Sequence, residues 1–419
     1  MKILFTSPVL EHPAAGGPQL RIENSIKALS RLCDMTIISR SPLGLTGGEE
    51  ALAFYRSYCR RIEVTPATRR LSANRYARKL QRIAASITGA AVRADVEFIL
   101  ESVRRHDIRC IWFGYGNISF PLIRRIKSAR PDLKVVCDTD SVWSRFILRE
   151  LPYASGWRRR RIERAGRKKE IEERDWVNLC DITTAVSEID AQYYRGIAVD
   201  HSRVRVFSNV IDVATYEAAP PAPPGFRKPC MYLAGTFGHY HSPMDTAARW
   251  VLDEVLPLVQ RRIPDIHFYI VGTGSERMLG HRRGPNVTVT GKLPSVLPYL
   301  CNANVALVPL KFESGTRFKI LEAGACGVPL VSTTLGAEGI PVTAGKHILL
   351  ADSTEEFAGA VVRLIEDRTL ATSIAHNCKS LVHEHYSVDT LTKQARTILE
   401  SLRLDTAVGY HPHATAGVR

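Results

Sequence analysis

Short apolar runs alternate with stretches of helical periodicity along almost the whole chain. In the first half, Lys2–Ser7 reads as a strand, Gln19–Leu32 as a helix and Met35–Ser39 as a second strand. Cys110–Phe113 and Lys134–Cys137 read as strands on either side of a helical stretch, Ser119–Ser128. Ile182–Val186 follows the polar, basic stretch Trp157–Trp176. In the second half the strand candidates are Cys230–Ala234, His267–Val271, Val287–Thr290, Val305–Pro309 and Pro329–Ser332, with helices over Thr246–Arg261 and Phe318–Ala325. Strand and helix in alternation predict α/β architecture, with parallel sheets covered by helices on both faces.

The pattern stops once and restarts. Ala218–Gly225 holds four prolines in eight residues, which makes a stiff, extended linker. A strand and a glycine turn come directly after it. With 419 residues, the chain is long enough for two domains, each with its own core. The expected organisation is a doubly wound, Rossmann-like domain over 1–210, a linker over 211–228, a second such domain over 229–385 and a disordered tail over 405–419.

Composition narrows the class. Hydrophobic residues make up 45% and charged residues 24%, the balance of a soluble globular chain. No apolar run is long enough to span a membrane, and Met1–Pro8 reads as a first strand rather than a signal peptide. The nine cysteines are odd in number and form no CxxC pair. That fits a reducing cytosol and argues against a disulfide frame or a zinc site. The expectation is a cytoplasmic protein with no metal.

The net charge is +15, and nearly all of the excess lies in residues 1–210, where 37 Lys and Arg face 23 Asp and Glu. Its densest part is Arg158-Arg159-Arg160-Arg161, continued by Arg164 and Arg167-Lys168-Lys169. Glu163, Glu170, Glu172 and Glu173 interleave. Two readings stand: a solvated helix with i,i+4 pairs, or a surface at Arg158–Lys169 that docks on an anionic leaflet, peripheral to the membrane. Zinc spacing, RNA-binding signatures and helix-turn-helix patterns are missing, so no specific nucleic acid is expected.

Glycine turns follow several strands. Gly16-Gly17 lies between the first strand and the helix near Gln19, and Gly235-Thr236-Phe237-Gly238 follows Cys230–Ala234. Gly272-Thr273-Gly274 follows His267–Val271. Such a turn lets backbone N–H groups approach an anion at a helix N-terminus, although a plain tight turn uses glycine as well. His239 and His241, just beyond, read as surface polar residues.

Gly315-Thr316-Arg317-Phe318-Lys319-Ile320-Leu321-Glu322 is the most informative segment. It follows the apolar run Val305–Pro309 and places Arg317 and Lys319 at a helix start. Cations there are unfavourable by a few tenths to about 1 kcal/mol each, a cost removed when an anion such as a diphosphate sits between them. The alternative is a pair of exposed surface cations.

The run Gly315–Ile340, closing on Gly336-Ala337-Glu338-Gly339-Ile340, resembles the donor-site signature of glycosyltransferase family 4, the group 1 glycosyl transferases. Supporting matches are Gly16-Gly17, Thr184–Glu188, Phe207–Asp212, Val289–Leu293 and Tyr386-Ser387, so the resemblance covers roughly 1–402. It implies a GT-B fold, with the two domains facing across a cleft and a C-terminal helix over 386–404 crossing back to the first domain. It implies a retaining, metal-independent glycosyltransferase in glycan or polysaccharide assembly, with no cofactor. The donor would be a nucleotide-diphosphate sugar and the acceptor a saccharide or polyprenyl-diphosphate-linked sugar. By position, Arg317 and Lys319 would hold the donor diphosphate as electrostatic catalysts, and Glu322 the ribose hydroxyls. Lys292-Leu293 would contact the base; Gly16, Gly17, Gly235, Thr236, Gly315 and Thr316 would complete the donor site.

Two departures limit the resemblance. The family's motif carries a further glutamate eight residues before the one at Glu322; that position is Ser314, with Glu313 one residue away. An acid–histidine pair of many members is replaced by Asp138-Thr139-Asp140. Asp140 either orients acceptor or sugar, as a catalytic residue, or caps a helix, as Asp138 could. A sugar-nucleotide epimerase of the same fold and a non-catalytic sugar-nucleotide-binding protein are the alternatives.

Overall fold

The computed structural model describes residues 1–14, 16–40, 48–65 and 90–403. The expected tail over 405–419 lies outside the described residues. The chain forms two compact units. Unit 1 comprises Met1–Val142, Arg167–Ser208 and the chain from Val388 onward; unit 2 comprises Trp143–Gly166 and Asn209–Ser387.

Unit 1 holds a seven-stranded parallel sheet of β1 (Lys2–Ser7), β2 (Asp34–Ser39), β3 (Arg61–Val64), β4 (Cys110–Gly114), β5 (Lys134–Asp138), β6 (Ile182–Ala185) and β7 (Val204–Val206), in the order β3-β2-β1-β4-β5-β6-β7. Ile3 pairs with Met35 on one side and Cys110 on the other. All five residues of β4 are buried, as expected for a central parallel strand with helices on both faces. Trp112 and Trp176 are fully buried, and Trp112 packs edge-on against Phe207 at 5.0 Å. The closing helix Val388–Ser401 packs on Gly17–Ser30 within this unit. Arg31 pairs with Asp389 there, and Gln394 Oε1 accepts the Ser208 backbone N–H at 2.8 Å.

Unit 2 holds a six-stranded parallel sheet of β8 (Cys230–Ala234), β9 (His267–Val271), β10 (Val287–Val289), β11 (Val305–Val308), β12 (Leu330–Ser332) and β13 (Leu349–Leu350), in the order β10-β9-β8-β11-β12-β13. Counted within the unit, the first strand lies centrally and the fourth beside it, so unit 2 repeats the winding of unit 1.

The structure sharpens the sequence reading at three points. The expected helix Thr246–Arg261 is Pro243–Trp250, one wide turn over Val251–Val255, then Leu256–Arg262. Pro257 lacks a backbone N–H and its ring crowds the preceding turn, so the helix widens before it. Unit 2 resumes at Asn209, two residues before the expected linker 211–228, and so includes the proline-rich run. The basic stretch is not confined to the first domain: it lies on the helix Gly156–Leu179, of which residues to Gly166 belong to unit 2.

Candidate functional site

In each sheet the strand order reverses once, between β1 and β4 in unit 1 and between β8 and β11 in unit 2. At such a point neighbouring connections leave in opposite directions and open a crevice beyond the carboxyl ends of the strands. In unit 2 the crevice is flanked by Gly235-Thr236, after β8, and by the loop between β11 and the helix Phe318–Ala325.

The loops on this edge are laced to one another. The Gly235 N–H donates to Val271 O at 3.0 Å, Phe237 to Thr273 O at 2.8 Å and Gly272 to Gly291 O at 3.0 Å. Gly272 has a φ of +125°, and a Cβ on it would stand 2.1 Å from Gly235 O. Glycine is therefore required there. The turn Gly272–Gly274 supports the Gly235 loop. Thr236 and Lys292 are exposed on the same edge, while Leu293 is half-buried against the core.

Arg317 occupies the N-cap of the helix Phe318–Ala325. It is buried, and its Nη1 donates to Ser314 O at 2.8 Å and to Gly315 O. Its guanidinium thus closes the turn in front of its own helix. Gly315 carries a φ of +79° in that turn. The Thr316 hydroxyl accepts from Asn209 Nδ2 at 2.8 Å. Ile320, Leu321, Ala323 and Ala325 face the core. Gly324 lets the helix Arg368–His385 approach closely, since a Cβ there would meet Val382 at 2.8 Å and Cys378 at 2.9 Å.

Lys319 and Glu322 stand one turn apart on the outer side of this helix, close enough to interact. Burial lowers the Lys319 ammonium below its ordinary pKa and Arg317 adds to the effect, while Glu322 and Glu313 oppose it. Burial raises the Glu322 carboxyl, against the pull of Lys319 and of the Tyr216 hydroxyl, which donates to Glu322 at 3.1 Å. Glu313, one residue out of register in the motif, therefore acts on the same ammonium as Glu322.

The predicted residues Gly235, Thr236, Lys292, Leu293, Gly315, Thr316, Arg317, Lys319 and Glu322 all lie on the carboxyl edge of one sheet or in the helix that rises from it. Gly16, Gly17 and Asp140 lie in unit 1. Gly16 is the N-cap of the helix Gly17–Ser30, so Gly17 starts the helix rather than sitting in the loop. Asp140 Oδ1 accepts from Asn117 Nδ2 at 2.5 Å, joining the connections after β4 and β5. The capping alternative fails for Asp138. Its fully buried carboxylate pairs with Arg21 and accepts the Thr184 hydroxyl at 2.6 Å.

Arg21, Asn209, Tyr216, Arg149 and Glu338 hold these groups in place and were not singled out from the sequence. Asn209 and Glu338 lie within the motif segments Phe207–Asp212 and Gly315–Ile340; the others carry no local signal. His239 and His241 are exposed. An open groove of about 820 Å³ lies elsewhere, near Lys228, Pro229, Asn304 and Pro329. Those residues precede strands, at the sheet edge opposite the motif, so chemistry rather than size locates the site. All nine cysteines are free thiols. Among the described residues, no cluster of three or more His, Cys, Asp or Glu side chains could hold a metal ion.

The family model described as glycosyl transferases group 1 matches residues 232–367. Lipopolysaccharide core biosynthesis glycosyltransferase LpsE of Rhizobium meliloti (strain 1021) is 25% identical over 148 residues, 33% of this chain and 43% of its own length. The match thus spans less than half of that relative. Among solved structures, Anabaena Alr3699/HepE in complex with UDP and glucose superposes with a TM-score of 0.64 at 15% identity, covering 96% of this chain and 100% of its own. Sucrose-phosphate synthase from Thermosynechococcus elongatus gives 0.68 at 16% identity, covering 96% and 99%. The chain has the GT-B fold, and residues 232–367 of its second unit match the model of the group 1 glycosyl transferases, the family that Gly315–Ile340 resembles.

Proposed function

We propose that the protein transfers a sugar, with retention of configuration and without a metal, from a nucleoside-diphosphate sugar to a saccharide or lipid-linked acceptor in polysaccharide or lipopolysaccharide assembly. The observation that carries this reading is the placement of Lys319, Glu322 and a helix N-terminus beside the strand-order reversal of unit 2. LpsE supports it by its named role, and HepE by its UDP and glucose.

In this reading the bond between the anomeric carbon and the diphosphate oxygen breaks, and the acceptor hydroxyl oxygen takes its place. The acceptor proton passes to the departing phosphate. Lys319 and the N–H groups of the helix Phe318–Ala325 stabilise the charge that grows on the diphosphate. Arg317 keeps the turn before them in shape. Glu322 accepts from the ribose hydroxyls, Lys292-Leu293 border the base, and Asp140 orients the acceptor.

A thermal-shift screen of UDP, GDP, ADP and their glucose conjugates tests the donor assignment. One ligand, held at 100 times its Kd, should stabilise the protein by about 2.7 kcal/mol. Glu322→Ala should weaken that ligand by roughly 10- to 100-fold, the worth of a hydrogen bond to a charged group. No stabilisation by any nucleotide sinks the reading. Conversion of the donor to its epimer without any acceptor, and with no net release of nucleoside diphosphate, would favour an epimerase.

We also assign a membrane-facing role, at the cytoplasmic surface, to the start of the basic helix. Trp157, Arg160, Arg161 and Arg164 are exposed at helical spacing i, i+3, i+4, i+7 and share one face. Arg158 and Arg159 turn away, to Glu150 and to Leu151 O. Three cations at about 1 kcal/mol each should bind the protein to phosphatidylglycerol vesicles and release it as salt rises. Failure to pellet with such vesicles at low salt ends the assignment. No helix among the described residues is long and apolar enough to cross a membrane.

A further inference from the structure

The loop that carries the motif is held by a segment remote in sequence. Trp143–Gly166 belongs to unit 2, although the chain on both sides of it belongs to unit 1. From this segment Arg149 Nη1 donates to Glu313 O at 2.7 Å, and Nη2 donates to Glu338 Oε2 at 2.7 Å. Arg145 approaches the same carboxylate oxygen at 3.6 Å. The Tyr153 hydroxyl donates to Lys311 O at 3.3 Å, and its ring lies 5.4 Å from that of Phe312.

These contacts fall on both loops beside the donor helix. Glu313 follows β11 and Glu338 follows β12. One planar guanidinium therefore spans two adjacent loops with two fixed donors, a geometry that lysine's single ammonium does not reproduce. Its contact on the β11 side is to backbone, so it sets the path of the chain whatever side chain stands there. Arg317 holds the carbonyls of Ser314 and Gly315 from within the loop. Two arginines thus grip three successive carbonyls, 313 to 315, immediately before Thr316 and the first turn of Phe318–Ala325. Glu338 completes the arrangement electrostatically. Burial pushes its carboxyl up, but the Arg149 hydrogen bond and charge, with Arg145 and Arg317 adding, bring it below the ordinary range.

We infer that Arg149 is a positioning residue for the diphosphate end of the donor site. Through the Glu313 carbonyl and the Glu338 carboxylate it fixes the backbone that presents Lys319 and the helix N-terminus to the ligand. The inference rests on the nucleotide-sugar reading. It assigns this chain a requirement that the motif itself does not contain: the donor end of the site is completed by residues 143–166.

The test compares nucleoside diphosphates with their nucleosides by calorimetry: UDP with uridine, GDP with guanosine and ADP with adenosine, using the pair that the native chain binds most tightly. Arg149→Met should weaken diphosphate binding about tenfold or more, the scale of a displaced charged hydrogen bond. Nucleoside binding, which depends on Glu322 and the base contacts, should stay within about twofold of native. Arg149→Lys should recover part of the loss at most, and Glu338→Gln should weaken the diphosphate in the same selective way. Adding Glu338→Gln to Arg149→Met should cost little more, because both act through one clamp. The selectivity separates positioning from mere support, since a general loosening would weaken diphosphate and nucleoside together. Should Arg149→Met fail to fold, the Arg149→Lys and Glu338→Gln proteins carry the same comparison. Native diphosphate affinity in those variants, or equal loss for both ligand classes, overturns the inference. Failure of the native chain to bind any of the three diphosphates overturns the nucleotide-sugar reading itself, and the inference with it.

Discussion

Lys319→Met should slow glycosyl transfer by about 100- to 1000-fold, as removal of one preorganised charge-stabilising donor does elsewhere, while the protein keeps its fold. The expectation follows from where the ammonium sits. Lys319 is half-buried beside a helix N-terminus, with Glu322 and Glu313 acting on it. Those carboxylates oppose the cost of burying the charge. A bound diphosphate would add further negative charge, and it would strengthen as the bond to the sugar breaks. The contribution is then larger in the transition state than in the ground state, so kcat should fall more than donor affinity.

The same environment dictates a pH signature. Because the folded-state pKa of Lys319 is lowered from 10.5, the ammonium loses its proton at a pH where an ordinary lysine keeps it. Diphosphate affinity should fall with rising pH through that lowered value, with proton uptake on binding. Between the lowered pKa and 10.5 the unfolded chain binds more protons than the folded one, so stability measured without added ligand should rise with pH there. Lys319→Met should remove both slopes. Measuring kcat, Kd for the nucleoside diphosphate and their pH dependence checks the assignment. A folded Lys319→Met protein with native kcat would show that the ammonium plays no part in the chemistry.

How much of this was visible in the sequence depends on how local each feature is. Lys2–Ser7, Cys230–Ala234, His267–Val271 and Phe318–Ala325 have the bounds that their apolar patterns predict. The three strands are interior and buried on both faces, so they read as continuous apolar runs. β3, β7 and β13 went unread because they are edge strands, short or carrying charge, as in Arg61-Ile62-Glu63-Val64 and Val204-Arg205-Val206. The motif Gly315–Glu322 was legible because its glycine, cations and carboxylate are consecutive on one turn and helix. Its supports were not. Asn209 reaches Thr316 and Tyr216 reaches Glu322 across more than a hundred residues, and Arg149 reaches Glu313 across 164. No periodicity encodes such pairings. They arise from the order in which parallel strands are laid down, which brings distant connections to one edge. The same holds for the assignment of 143–166 to unit 2, which neither composition nor the proline run announces.

The largest effect on stability should come from Arg21, on the helix after β1. Arg21 and Asp138 form a buried ion pair, at 2% and 0% exposure, in the core of unit 1. The Thr184 hydroxyl also donates to Asp138, and Arg21 Nη2 donates to Phe207 O at 3.2 Å. The pair thus ties the first helix to the carboxyl ends of β5 and β6 and to the residue after β7. A buried pair need not stabilise a protein relative to apolar residues of the same shape, but removing one partner leaves the other charge buried without compensation. Arg21→Met should therefore cost about 3–5 kcal/mol. Arg21→Met combined with Asp138→Leu should recover much of the loss, because the orphaned charge is then gone. Hydrogen exchange of the β1 and β5 amides reads unit 1 by itself and distinguishes the two outcomes. If Arg21→Met alone leaves that protection unchanged, the ion pair is dispensable and its burial has no energetic consequence. If only the double variant is stable yet transfer is lost, the pair is kept for the connection after β5, where Asp140 stands and accepts from Asn117 of the connection after β4, and stability has been given up to hold it.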